Sequence, residues 1–177
     1  MGDFNNIWAP YEPDAKAPWG LRRVVHLHRR AGFAATWDEL QRDLHDGPAA
    51  SVERLLAGRA NAHVSDGFAD TADLLADAAV AAGEIARLKA WWFYRMLFGP
   101  DPLGERLTLL WHDHFATAVS KVQDVALMRR QNDTLRRHAR GKFTDLLGAA
   151  VREPARWFTS TPPPTTRGTP TRTSAAS

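Results

Sequence analysis

The stretch that decides the fold is Glu84–Phe98, which reads EIARLKAWWFYRMLF and is followed by Gly99-Pro100. Its apolar residues recur at spacings of three and four, the period of a helix that faces a core. These residues are Ile85, Leu88, Trp92 and Met96. Trp91, Phe93 and Tyr94 widen the apolar stripe until little polar surface is left. The pattern therefore predicts a helix that other helices cover on most sides.

The segments on both sides of this helix are also helical in pattern. The further predicted helices are Leu21–Ala31, Thr36 to about Leu44, Ala49–Ala57, Phe68–Ala82, Pro102–Ala118, Val122–Ala139 and Lys142–Arg152. Gly32 ends the first of them, and Thr36 and Glu39 form a capping box at the start of the second. The Asp46–Pro48 turn separates the second from the third. Because strand alternation and a βαβ rhythm are absent, the sequence predicts an all-α, irregular multi-helix domain.

Composition divides the chain into three parts. Residues 1–19 are rich in proline and aromatic residues, which predicts an extended arm docked on a domain surface. Residues 20–154 carry the helical pattern. Residues 155–177 contain no acidic residue, no aliphatic residue larger than alanine and a Pro-Pro-Pro run. This last composition predicts a disordered tail.

The same tail accounts for the basic character of the chain. The sequence has 23 lysines and arginines against 20 acidic residues, a formal net charge of +3. Arg156, Arg167 and Arg172 are the only charges after Glu153 and equal this excess. The rest of the chain is therefore neutral and has no field that would attract phosphate, so we expect no nucleic-acid binding.

Three further absences narrow the class of protein. The chain has no cysteine, which excludes disulfides, thiolate metal sites and cysteine nucleophiles. Its first residues do not combine a basic start with an apolar run, so no signal peptide is expected. No segment approaches the roughly 20 apolar residues that span a bilayer. We therefore expect a soluble, cytoplasmic protein.

The densest group of polar side chains is Trp111–Phe115, in which His112 and His114 flank Asp113. Residues two apart on a helix point about 200° away from each other, so these histidines do not chelate one ion from the same helix. The HExxH spacing of a zinc helix is also absent. The favoured interpretation is that one histidine packs on the core while the other hydrogen-bonds a neighbouring helix. A metal site is the alternative, although no partner ligands are evident.

The next predicted helix places polar side chains on an apolar stripe. The residues that share this face are Met128, Gln131, Asn132, Leu135 and His138. A buried polar group without a partner costs about 1–3 kcal/mol. The two amides and the imidazole therefore either form a structural network, with His112 or His114 opposite, or line a pocket. The network is the favoured interpretation.

The same helix also carries many arginines. They are Arg129, Arg130, Arg136, Arg137 and Arg140. Because Asp124 and Asp133 are interspersed and the arginines spread around the helix, we expect a solvated face rather than a basic patch.

Four blocks of the sequence, in order, are too specific to arise by chance. They are HLHRRAGFAATWDEL (His26–Leu40), LKAWWFYRMLFGPDPLGERLTLLWHDHFAT (Leu88–Thr117), KVQDVALMRRQNDTLRRHARGKFTDLL (Lys121–Leu147) and VREPA (Val151–Ala155). Over about residues 20–155 the chain resembles the bacterial domain-of-unknown-function 1800 family, with its WHNHF and LMxRQNxxLRxHAxGxFxxLL patterns. Asp113 stands where that family has asparagine, which weakens the idea that an amide there is essential. The resemblance implies a largely helical protein of uncharacterised activity, several hundred residues long and often exported.

The resemblance also implies that this chain corresponds to an N-terminal third of a family member. Relatives continue past the proline-alanine pair with a pattern like LDxxxNxxxxPNENxARE, whereas this chain continues with the tail. A reading shifted by one base from the Trp157 codon can spell such a continuation with permitted synonymous codons. We therefore expect a one-base slip near Arg156, with a native Pro/Thr/Ser-rich tail as the alternative. The nucleotide sequence across Arg156 distinguishes the two.

The sequence does not define a biochemical activity or a cofactor, and three hypotheses stay open. The first is an uncharacterised family member whose activity is lost by truncation. The second is a metal-assisted or other hydrolytic enzyme whose site uses His112, His114 or His138 with ligands from a missing C-terminal part. The third is a helical interaction module without enzymatic activity. The candidate catalytic residues are His112, His114, Gln131, Asn132 and His138.

Overall fold

The computed structural model describes residues 9, 11–58, 67–115 and 124–153, and within these ranges the chain forms seven helices and no strand. The helices are α1 Leu21–Ala31, α2 Trp37–Leu56, α3 Phe68–Ala82, α4 Ile85–Phe98, α5 Pro102–Phe115, α6 Val125–His138 and α7 Phe143–Val151. The all-α prediction is confirmed. The predicted tail, residues 1–8 and 10 of the predicted arm, and the predicted end of α5 and start of α6 lie outside the described residues.

Local sequence signals set the bounds of α2. The Thr36 side chain accepts a hydrogen bond from the Glu39 N–H at 3.3 Å, and the Glu39 carboxylate accepts one from the Thr36 N–H at 2.8 Å, so the predicted capping box is confirmed. Gly47 interrupts the helix with a φ of 86°, a left-handed value that favours glycine. Pro48 follows it and starts the second half. The predicted turn is therefore a sharp kink within α2.

The larger apolar cluster lies between α3, α4 and α6. Its buried members are Ala76, Ala79, Leu88, Trp91, Val125 and Met128. Apart from Phe68 at its start, the buried residues of α3 are alanines, while Leu74 is 69% exposed, so α4 packs closely on a row of small side chains. Trp91 is 2% exposed and is a buried member of this cluster, whereas Trp92 is only partly buried and packs against it. The helical spacing in the sequence favours Trp92, not Trp91, as the core-facing tryptophan of α4.

A second apolar cluster joins α6 to α5 and α7. Leu135, Leu146 and Ala150 are buried there, and Trp111 and Phe115 pack against them from α5. Helix α6 thus contacts α3, α4, α5 and α7, while α1 and α2 pack on each other and on α5. The central position of α6 places its polar side chains inside the molecule.

The sequence predicts that α4 is covered on most sides, but other helices of the described ranges cover only one side of it. Phe93, Leu97 and Phe98 are 61%, 56% and 57% exposed. Helices α3, α5 and α6 pack on the other face of α4. None of the helices in the described ranges has the length and apolar content that a membrane span requires.

Candidate functional site

A buried carboxylate on α5 ties together three helices. Glu105 is 5% exposed and accepts two hydrogen bonds from Arg136 on α6, from Nε at 2.7 Å and Nη2 at 3.1 Å. Arg95 on α4 donates from Nε at 3.0 Å, and Trp92 donates from Nε1 at 3.2 Å. Because all four donors converge on one carboxylate, Glu105 fixes the relative positions of α4, α5 and α6.

Arg136 and Arg95 compensate the negative charge of the Glu105 carboxylate. Burial raises the pKa of Glu105, but the hydrogen bonds and charges of Arg136 and Arg95 outweigh it and hold the pKa below its ordinary value. Glu105 is therefore ionised at neutral pH.

The position of Arg136 corrects one sequence prediction. Its side chain is 18% exposed, so its assignment to a solvated face is wrong. The sequence spacing indicates that Arg136 is buried, because it follows the buried Asn132 by four residues and so lies on the same helix face.

Beside this cluster lies a cavity of about 100 Å³ between α4, α5 and α6, here called the α4–α6 cavity. Its apolar walls come from Ile85, Leu88, Trp92 and Met128. The polar side chains that line it are Lys89, Trp91, His112 and Asn132. It therefore combines hydrocarbon walls with nitrogen-bearing groups from all three helices.

Asn132 presents a hydrogen-bond donor at this cavity. The residue is 4% exposed, and its Oδ1 accepts a hydrogen bond from Arg136 Nη2. Because a guanidinium only donates, this contact identifies Oδ1 as the acceptor end and Nδ2 as the donor end of the amide. Among the described residues, Nδ2 is buried without a hydrogen-bond partner. The amide therefore has a defined direction and an unused donor.

Trp91 and His112 add two more unpartnered nitrogens. The buried Trp91 Nε1 and His112 Nδ1 also have no hydrogen-bond partner in the described ranges. The His112 ring lies edge-on to Trp92, with the ring centroids 4.9 Å apart. Burial lowers the pKa of His112, and the charge of Asp113 offsets this only in part. His112 is thus a neutral imidazole at neutral pH.

The structure brings two of the five candidate residues together. His112 and Asn132 line the same cavity. Gln131 is buried at 2% exposure but does not line the cavity. His114 is exposed and packs on Trp111 and Phe115 of its own helix. His138 is half-buried and lines a separate groove between α6 and α7.

The three histidines of the metal hypothesis therefore lie in three different surroundings. Across the described parts of the chain, no group of three or more histidine and acidic side chains is arranged to hold a metal ion. The hypothesis depends on ligands outside the described residues and stays a prediction.

Sequence reasoning missed a second buried polar cluster, which joins α1 to α2. Asp43 is 1% exposed and accepts hydrogen bonds from His28 Nε2 at 2.7 Å, Arg54 Nη2 at 2.6 Å and Arg42 Nε at 3.1 Å. Burial raises the pKa of Asp43, but the hydrogen bonds of His28, Arg42 and Arg54 outweigh it and lower the pKa. The partners are 1 to 15 residues away along the chain, and no periodic pattern links them.

These observations define, within the described residues, an all-helical domain with two paired ionic clusters and one small cavity lined by three residues that each have an unpaired nitrogen. The family described as a protein of unknown function, DUF1800, matches residues 26–157, and the chain belongs to that family. The match confirms the resemblance seen in the sequence, and its range includes every residue of the α4–α6 cavity. No curated protein and no solved structure matches the chain.

Proposed function

We propose that this helical domain binds a small polar molecule in the α4–α6 cavity. The observation that carries the proposal is that three residues of one cavity lining, Trp91, His112 and Asn132, each have a buried side-chain nitrogen without a partner among the described residues. Each such group costs about 1–3 kcal/mol when it is left unpaired. A ligand that supplies the missing hydrogen bonds regains that free energy on binding.

The other buried clusters of the chain support a binding role over a structural one. Around Asp43 and Glu105, hydrogen bonds from side chains of neighbouring helices satisfy the buried carboxylates. Where polar groups fix helices together, this chain therefore pairs them internally. A network built only to hold α4 against α6 would be expected to do the same.

The size of the cavity limits the ligand. Its volume of about 100 Å³ is smaller than the roughly 150 Å³ that accommodates benzene in an engineered cavity. Nucleotides and oligosaccharides are excluded on volume alone. The proposal does not extend to nucleic acid, because the excess of basic residues lies after Glu153 and the chain before it has no net charge that would attract phosphate.

A fragment screen tests the proposal. Ligand-observed NMR on the full chain would use a set of fragments that includes acetate, acetamide, urea and imidazole. The matched variant is Ile85→Phe, which places a larger apolar side chain in the cavity wall and leaves the three nitrogens in place. We expect fragments that bind the wild type and not this variant. If no fragment distinguishes the two proteins, the binding role is wrong.

A metal measurement addresses the hydrolase hypothesis separately. Elemental analysis of the purified chain, with His114→Ala beside the wild type, would detect a bound ion and its dependence on that histidine. Because His114 does not line the α4–α6 cavity, this result does not affect the binding proposal.

A further inference from the structure

We propose that the ligand of the α4–α6 cavity is a small aliphatic carboxylate whose oxygens accept hydrogen bonds from Trp91 and Asn132. This inference rests on the proposed binding function and narrows it to one chemical class. It follows from three independent properties of the cavity: its hydrogen-bonding sense, its charge and its size.

The unpartnered groups on the residues that line the cavity include two donors. Trp91 Nε1 can only donate, and the unpartnered end of the Asn132 amide is Nδ2, because Oδ1 accepts from Arg136. His112 is neutral and carries one donor and one acceptor, so its tautomer adjusts to the ligand. Two fixed donors require an acceptor, and an ionised carboxylate accepts at both oxygens. An ammonium group would place donor against donor and lose its own hydration.

The charge around the cavity also favours an anion. Lys89 is the one charged side chain of the described residues that lines it, and it is exposed at the solvent side. The guanidinium groups of Arg95 and Arg136 lie 5.8 Å and 5.3 Å from the centroid of the ring of Trp91, another residue of the lining. Glu105 pairs with both arginines, so Lys89 is the charge that a ligand meets first. A carboxylate gains from this ammonium group, whereas a cation is repelled.

Size and wall chemistry select a short aliphatic chain. If about 150 Å³ accommodates the six carbons of benzene, about 100 Å³ accommodates four or five heavy atoms. Ile85, Leu88 and Met128 form an apolar wall. A phosphate or sulfate ion would turn oxygens toward that hydrocarbon, which is unfavourable. A carboxylate with one or two further carbons presents oxygens at one end and methylene groups at the other.

Isothermal titration of the full chain tests the class of ligand. The probes are sodium propionate, propionamide and propylammonium chloride, which share a three-carbon skeleton and differ in charge and hydrogen-bonding sense. We expect saturable binding of propionate, binding of propionamide at least tenfold weaker, and no detectable binding of propylammonium. Lys89→Met should weaken propionate several-fold, and Lys142→Met, which changes an exposed lysine at the start of α7, should leave it unchanged.

Two cavity variants locate the binding. Asn132→Leu removes the amide donor, and Ile85→Phe fills the cavity while keeping every polar group. Each should weaken propionate by tenfold or more, and circular dichroism checks that the variants stay helical. If Asn132→Leu does not fold, the Ile85→Phe titration still decides whether the ligand occupies the cavity.

The outcomes separate this inference from the proposed function. Propionamide binding as tightly as propionate overturns the carboxylate class and leaves the cavity as a binding site. The same holds if propionate does not bind but other fragments distinguish the wild type from Ile85→Phe. Equal propionate affinity in the wild type and Ile85→Phe places the binding elsewhere and overturns the inference.

Discussion

Arg136 and Glu105 form a bidentate ion pair between α6 and α5, with nitrogen–oxygen distances of 2.7 Å and 3.1 Å. The same guanidinium also donates to the Asn132 side chain and so fixes which end of that amide is the donor. The ionic cluster therefore positions the neighbouring cavity as well as holding the helices. Its loss should affect both stability and binding.

Replacing Glu105 with glutamine should lower the free energy of unfolding by about 3–5 kcal/mol, because Arg95 and Arg136 would lose their buried counter-charge. Urea denaturation followed by circular dichroism measures this. Asp113→Asn, at an exposed position of the same helix, is the control and should change stability by less than about 0.5 kcal/mol. Equal losses in the two variants would contradict the structural role of Glu105.

His112 should make the protein less stable in acid. Burial holds its pKa below the ordinary value of 6.5, so the unfolded state takes up a proton that the folded state resists. The stability from the neutral imidazole is present above pH 6.5 and is lost as the pH falls through the folded pKa. His112→Phe should remove this part of the pH dependence, measured as the midpoint of urea unfolding against pH.

The control for that pH profile is His114→Phe, two residues away and exposed. Its profile should follow that of the wild type. A profile that flattens in His114→Phe but not in His112→Phe would mean that the wrong histidine has been identified as the buried one.

Replacing Asp43 with asparagine should loosen the packing of α1 on α2. His28, Arg42 and Arg54 would lose their shared acceptor, and the free energy of unfolding should fall by about 2–4 kcal/mol, discounted because both arginines are partly exposed. Asp46→Asn, also paired with Arg54 but at the surface, should have little effect. Hydrogen exchange would locate the change, with faster exchange expected first in α1.

The kink in α2 allows the effect of backbone strain on stability to be measured without a steric clash. Gly47 has a φ of 86°, and a methyl group added there would meet no neighbouring atom within 4 Å. Gly47→Ala should therefore lower the free energy of unfolding by about 1–3 kcal/mol, the cost of holding a residue with a side chain at a φ of 86° and a ψ of 174°. Gly20→Ala is the control, since its φ is −134° and its surroundings are equally open. A thermal melt of each variant checks the difference.

Local signals in the sequence were sufficient to predict the helices. The capping box at Thr36, the break at Gly47 and the helical period in α4 each act within about one turn, so the residues near each position determine the outcome. The sequence also placed Gln131 and Asn132 on the apolar face of α6, where both are buried. It could not choose between a network and a pocket, because that depends on what the neighbouring helices present.

The family, the all-α class and the helix faces were thus determined by the sequence itself, since periodicity and caps are local properties. Only the tertiary structure decided that Glu105 meets Arg136 across 31 residues, that Asp43 meets His28, and that His112 shares a cavity with Asn132. The physical reason is that the position of a residue on a helix determines the direction in which its side chain points, but not the residue that it contacts. The partner is set by how seven helices pack in the described part of the chain, and that packing leaves a nitrogen unpaired on each of three residues that line one cavity.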